Sequence, residues 1–135
     1  MTVRPMAPAD EPAVRSLQSH LSYADPGLVT AALSGPFLGR VAVTDTVVGY
    51  AVALPAAETV LSELVVAPEH RREGHGRRLL EAVAAAADAE RLVVTTPAAD
   101  DAAVDFYAAA GFERDARIEG FYDDGAAALR LVRRE

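Results

Sequence analysis

Apolar and polar positions change rhythm several times along the chain, and each change marks an element. Residues 2–6 suit a short first strand, after which Pro8, Ala9, Asp10 and Glu11 open a helix whose apolar positions Ala13, Val14, Leu17 and Leu21 recur at helical spacing. Pro26 starts a second short helix near 28–33, which the Ser34-Gly35-Pro36 turn ends. Residues 37–44 and 47–54 are β-branched runs around Asp45-Thr46, so they pair most simply as an antiparallel hairpin, and 60–66 supplies the next strand. Leucine and alanine dominate from Gly74 or His75 to about Glu90, the strongest helix in the chain, with Leu79, Leu80, Val83 and Ala87 as its inward stripe. Residues 91–96 form a strand stopped by Pro97, 100–110 a helix ended by Gly111, and 112–119 with 126–133 a closing hairpin. The predicted order is β-α-α-β-β-β-α-β-α-β-β, with no repeats and no linkers.

A chain of 135 residues is expected to form one domain, 1–135, large enough to bury about two-thirds of its unfolded surface, and 51% hydrophobic residues suffice for a core. Its apolar stretches are all shorter than the roughly 18 residues of a membrane span, and Arg4, Pro5, Asp10 and Glu11 stand where a signal peptide would be apolar. The expected location is the cytoplasm. With no cysteine there can be no disulfide, thiolate nucleophile or zinc–thiolate site, and the three histidines are scattered, so no metal site is expected. A net charge of −7 argues against general binding to nucleic acid, which needs a surplus of Lys and Arg.

Positive charge is local instead. Arg71, Arg72, Arg77 and Arg78, four of the thirteen basic residues, surround one turn that leads an apolar strand through Gly74 and Gly76 straight into a helix. A helix start carries unpaired N–H groups and the positive end of the helix dipole, so this turn is suited to a phosphate on an otherwise acidic body. It is not the lysine-dependent GxxxxGK[ST] loop, because the chain has no lysine, nor the dinucleotide GxGxxG loop, because Leu79 stands where the third glycine belongs. What remains is Arg71-x-x-Gly74-x-Gly76.

That loop resembles the [Q/R]-x-x-G-x-[G/A] motif of the GNAT superfamily of acyl-CoA-dependent N-acetyltransferases. A second match lies downstream: Asp100 to Phe112 is similar to the family's N-x-x-A-x-x-x-Y-x-x-x-G-F segment, with Tyr107, Gly111 and Phe112 in register and Asp100 in place of Asn. Aspartate is still a good helix N-cap. The resemblance implies an α/β (α+β) fold, a mixed sheet of about seven strands splayed between the fourth and fifth and flanked by about four helices.

It further implies that acetyl-CoA, the cosubstrate, lies in the gap between 58–67 and 91–96. The backbone of Leu64, Val65 and Val66 would receive the pantetheine amides, and pyrophosphate would rest on the amides of residues 72–77, including Arg72, Gly74, His75, Gly76 and Arg77. Arg71 or Arg72 would add charge-assisted bonds. Asp100 would shape the second segment, and Tyr107 would lie near the CoA sulfur as general acid or as an ordered contact, against the alternative of a core tyrosine packed with Phe106 and Phe112.

Transfer to an amine also needs a base. Glu63, on the strand lining the gap, is the candidate, acting directly or through water. Strict alternation puts it on the opposite face from Leu64 and Val66, so a bulge is required to re-aim it; a structural carboxylate is the other reading. Glu58, Tyr23 and Tyr122 are further candidates. Residues 117–129 partly resemble the R-x-x-Y-Y…G-E-D-A hairpin of the ribosomal-protein-alanine and N-terminal acetyltransferase branch, with Phe121, Ala126-Ala127 and Thr95 as departures. The function implied is N-acetyl transfer from acetyl-CoA to a primary amine, of a small molecule or a protein N-terminus. A non-catalytic acyl-CoA sensor and a plain phosphate-binding α/β domain are the contrasting readings. Substrate-side residues would come from 22–27 and 120–125, and a homodimer through the last strands is left open.

Overall fold

The computed structural model describes residues 2–135. Seven strands form one mixed sheet in the order β1-β2-β3-β4-β5-β7-β6. They are β1 (Thr2–Pro5), β2 (Leu38–Val43), β3 (Val47–Leu54), β4 (Glu58–Val66), β5 (Arg91–Pro97), β6 (Glu113–Ile118) and β7 (Ala128–Arg134). Four helices flank them: α1 (Glu11–Gln18), α2 (Pro26–Ser34), α3 (His75–Ala87) and α4 (Asp101–Ala109). All neighbours are antiparallel except β4 and β5, which run parallel.

Local chemistry sets the helix ends. Asp25 precedes Pro26 and its carboxylate accepts from the Gly27 N–H at 2.9 Å, while Asp100 accepts from Ala103 N–H at 3.1 Å, so each aspartate satisfies a first-turn amide. Asp10 accepts from the Ala7 N–H and holds Arg4 through two bonds of 2.7 and 2.9 Å, which ties β1 to the start of α1. The Arg4 guanidinium holds the Asp10 carboxyl below its ordinary range. α1 stops at Gln18, so Leu21 lies beyond the helix. Ser19 bonds its hydroxyl to the Ser16 carbonyl, a local alternative to continuing the ladder. α3 ends at Ala87, three residues before the expected end, because Asp88 turns left-handed with φ 49°.

Two apolar clusters occupy the two faces. Leu79, Leu80 and Val83 of α3, all at 0% exposure, pack with Ala51, Leu61, Leu92, Val94 and Leu129, and α1 with α2 covers Val41, Tyr50, Val52 and Val65 on the other side. β3 is therefore buried on both faces and reads as a nearly continuous apolar run. Ala87, expected on the inward stripe, is only half-buried. Pro97, expected to stop β5, is its last residue, opposite Ala128; a proline is tolerated at a strand end where no further ladder N–H is demanded.

Candidate active site

The parallel pairing of β4 with β5 covers four residues only. Glu58, Thr59, Val60 and Leu61 face Arg91, Leu92, Val93 and Val94, and from Ser62 onward β4 continues to Val66 with no strand on its β5 side among the described residues. β5 meanwhile stays paired with β7 to Pro97. The sheet is thus splayed as expected, and beyond Leu61 one backbone edge of β4 faces the opening.

A bulge sits at the point of divergence. Val52 pairs with Glu63 and Ala53 with Leu61, so Ser62 is the extra residue and the alternation of β4 changes phase there. Leu61 faces the α3 cluster with Ala53, whereas Glu63, two residues on, faces the α1–α2 side with Val52. The bulge turns Glu63 away from the face of Leu61, but Glu63 stays on the face opposite Leu64 and Val66, which pack toward the α3 cluster. Glu63 is buried at 6% exposure and its carboxylate accepts from Tyr50 hydroxyl at 2.8 Å, from Gln18 Nε2 at 3.0 and 3.2 Å and from Asp25 N–H at 3.1 Å. Burial, and then the Glu63 charge, push the Tyr50 phenol well above its ordinary range, so it serves as a fixed donor. Sequence reasoning missed Gln18 and Tyr50. A signal existed for Gln18: with Val14 and Leu17 it falls on the inward stripe of α1, where a polar residue needs a partner.

The arginine-rich turn follows β4. Arg72 and Gly74 are left-handed, at φ 63° and 87°, and Gly74 is the N-cap of α3, with no side chain bonding the first amides. The first intrahelical bond is Arg78 N–H to Gly74 carbonyl, which leaves the N–H groups of His75, Gly76 and Arg77 outside the ladder. A Cβ on Gly74 would meet nothing within 4 Å, so the space before those amides is open. Gly76 has a different constraint, since a Cβ there would lie 3.2 Å from the Phe106 ring. It lets α3 and α4 approach. The arginines divide too: Arg71 Nε donates to Val66 carbonyl at 3.2 Å, and Arg77 reaches Ala109 carbonyl at 3.5 Å and Glu81.

His75, expected to matter through its backbone, is buried at 4% exposure, and two of the three histidines are not scattered. His70 Nδ1 and His75 Nε2 lie 3.2 and 3.1 Å from the same oxygen of Glu73, and their hydrogen bonds hold that carboxyl below its ordinary range.

Tyr107 is buried at 6% exposure, with its ring edge-on to Phe106 at 5.1 Å and to Phe112 at 5.3 Å. Burial, with Asp100 adding to it, raises its phenol far above the ordinary value, so it stays protonated throughout the neutral range. Across the opening, Tyr23 stacks on Tyr122 at 3.8 Å and donates to Asp124 at 2.6 Å, joining the α1–α2 connection to the β6–β7 connection. The Asp124 carboxylate pushes the Tyr23 phenol up to about 12, and burial also raises Tyr122, so neither is a base at neutral pH. Glu58 lies at the closed end of the splay, held by Arg91 at 2.7 Å and Arg130 at 2.8 Å. A cavity of about 550 Å³ lies beside the tyrosine stack, lined by Ser22, Tyr23, Asp100, Arg117 and Ala126 among others.

The model of the acetyltransferase (GNAT) domain matches residues 37–114. The fold is similar to that of the ribosomal-protein-S18-alanine N-acetyltransferase from Escherichia coli (20% identity, TM-score 0.85, 98% of this chain and 92% of that one). It is also similar to Ard1 from Thermoplasma volcanium (23% identity, TM-score 0.84, 98% and 96%). Chaetomium thermophilum Naa20 in complex with a bisubstrate analogue gives 23% identity and a TM-score of 0.81 over 99% and 86% of the two chains. No curated protein matches the sequence. With the family match spanning more than half the chain and the splayed sheet in place, this protein belongs to the GNAT acetyltransferase family and is an acyltransferase.

Proposed function

We propose that residues 1–135 act as one domain that transfers an acetyl group from acetyl-CoA to a primary amine, by direct attack with both substrates bound. The single observation that carries this is the coincidence of two binding elements at one opening: the unpaired edge of β4 and the uncapped amides of His75, Gly76 and Arg77 at its end. An extended amide-bearing arm suits the first, as a peptide suits a sheet edge, and a pyrophosphate suits the second. When bound there, acetyl-CoA supplies the thioester; everything else is supplied by the chain. Leu64, Val65 and Val66 hold the arm, residues from Arg72 to Arg77 hold the phosphates, and Asp100 sets the start of the helix that carries Tyr107.

In the reaction the amine nitrogen bonds to the acyl carbon, the carbon–sulfur bond breaks, and the proton lost by nitrogen ends on sulfur. Tyr107 donates a hydrogen bond to the departing sulfur. Its raised pKa makes it a weaker acid than the thiol that forms, so the phenol steadies the thiolate without giving its proton away for good. Glu63 attracts the ammonium form of the acceptor and takes its proton through water, because so little of the carboxylate is exposed for direct contact. Gln18 and Tyr50 hold that carboxylate in place. The acceptor enters on the side of Tyr23 and Tyr122, and a protein N-terminus or a small amine fits that description equally.

The test is release of free CoA thiol from acetyl-CoA with a panel of amines and short peptides, with the N-acetylated product identified by mass spectrometry. Thiol and product in equal amounts are expected for at least one acceptor. Thiol release that no amine accelerates would overturn amine transfer.

A further inference from the structure

The turn between β4 and α3 carries a second set of chemistry that acyl transfer does not use. His70 closes the one-turn helix Pro68–His70, Glu73 lies in the turn, and His75 is the first residue of α3. The nearest nitrogen of each histidine points at one carboxylate oxygen, and the three candidate ligand atoms lie within 4.8 Å of one another.

We propose that His70, Glu73 and His75 form a binding site for a borderline-soft divalent metal ion of the zinc class. Two imidazoles and a carboxylate are the donors such ions select, while Mg²⁺ and Ca²⁺ demand oxygen. The spacing fits. Ligands bound tetrahedrally at about 2.0–2.1 Å are separated from each other by about 3.3 Å. The two nitrogen–oxygen separations, 3.2 and 3.1 Å, are already close to that value, and only the two histidines must draw together.

His75 adds an independent observation. It is buried, and its Nδ1 has no hydrogen-bond partner among the described residues. An apolar side chain of that size would fill the space without an unpaired nitrogen, so packing alone does not account for an imidazole here. Coordination would use Nε2, the nitrogen that already faces Glu73, and would leave Nδ1 as it is. Three protein donors leave a fourth position for water or another ligand. The ion would bind the end of the turn to the first residue of α3 and place positive charge beside the proposed phosphate site.

The experiment uses untagged, chelator-treated protein, with Zn²⁺ alone as the probe in calorimetric titration and thermal melting. The expected result is one Zn²⁺ per chain, a raised melting temperature, and no response to Mg²⁺. Removing a partner that merely orients a metal ligand weakens binding by about 10–100-fold, so removing a ligand should weaken it at least as much. His70→Ala and Glu73→Gln, which alter exposed or half-exposed side chains, should both show that loss. Their metal-free circular dichroism and melting curves report whether they are folded. His20→Ala, an exposed histidine elsewhere, should bind as the parent does. The proposal is overturned if the parent does not bind Zn²⁺, or if folded His70→Ala and Glu73→Gln bind it unchanged.

Discussion

The two ends of β4 are made of similar residues and are used in opposite ways. Over residues 58–61 the strand is closed: it is laddered to β5, Leu61 is buried at 2% exposure, and Glu58 links Arg91 and Arg130 across the sheet. Over 62–66 it is open: a bulge at Ser62 starts the divergence, Glu63 is turned to the other face from Leu61, and the edge toward β5 has no partner strand among the described residues. Closing this stretch would add backbone hydrogen bonds but would fill the gap in which a substrate can lie. One parallel pair is thus closed at one end and open at the other.

The largest expected effect is at the open end. Tyr107→Phe keeps the ring packed on Phe106 and Phe112 and removes only the hydroxyl, so turnover should fall by about 10²–10³-fold while the melting temperature barely moves. Steady-state kinetics beside a thermal melt decides it, and near-normal turnover would make this tyrosine a packing residue. Next comes the closed end. Leu61→Ala should cost about 2–5 kcal/mol in urea denaturation, and Leu64→Ala, half-buried three residues further along, distinctly less; equal losses would erase the contrast between the two ends. Third, Gly74→Val projects a side chain into the open space before the helix amides. Stabilisation by acetyl-CoA, about 2.7 kcal/mol at a hundredfold excess over Kd, should disappear from a protein that still folds, with a modest penalty for a left-handed valine. Gly76 is a poorer probe, because its Cβ would press on Phe106 and disturb packing as well as binding.

Much of this could be read along the chain because it rests on local rules. Period and turn residues place all seven strands and four helices to within a few residues, and Asp25 and Asp100 cap their helices as short-range chemistry dictates. The Arg71-x-x-Gly74-x-Gly76 turn is legible for the same reason: a strand, two glycines and a helix start within one dozen residues need no distant partner. Leu21 falls beyond α1 and α3 stops short of Glu90 because ends are decided by competing hydrogen bonds and by one left-handed residue, which periodicity does not register.

The partners of each site residue belong to another level. Gln18 and Glu63 are 45 positions apart, Tyr23 and Asp124 are 101 apart, and only the closing of the sheet brings them to hydrogen-bonding distance. The bulge is similar. Alternation in sequence puts Glu63 opposite Leu64 and Val66, but its turn away from Leu61 depends on the pairing of β4 with β3. Even the two histidines beside Glu73, close in sequence, needed a one-turn helix and a left-handed Gly74 to point at the same oxygen. By itself the sequence determined the order of elements, the glycine turn that opens α3 and the family, because periodicity, capping and glycine placement act within a few residues. Tertiary structure alone decided where β4 leaves β5, which face Glu63 takes and which side chains surround it, because those depend on contacts between segments that the chain holds far apart.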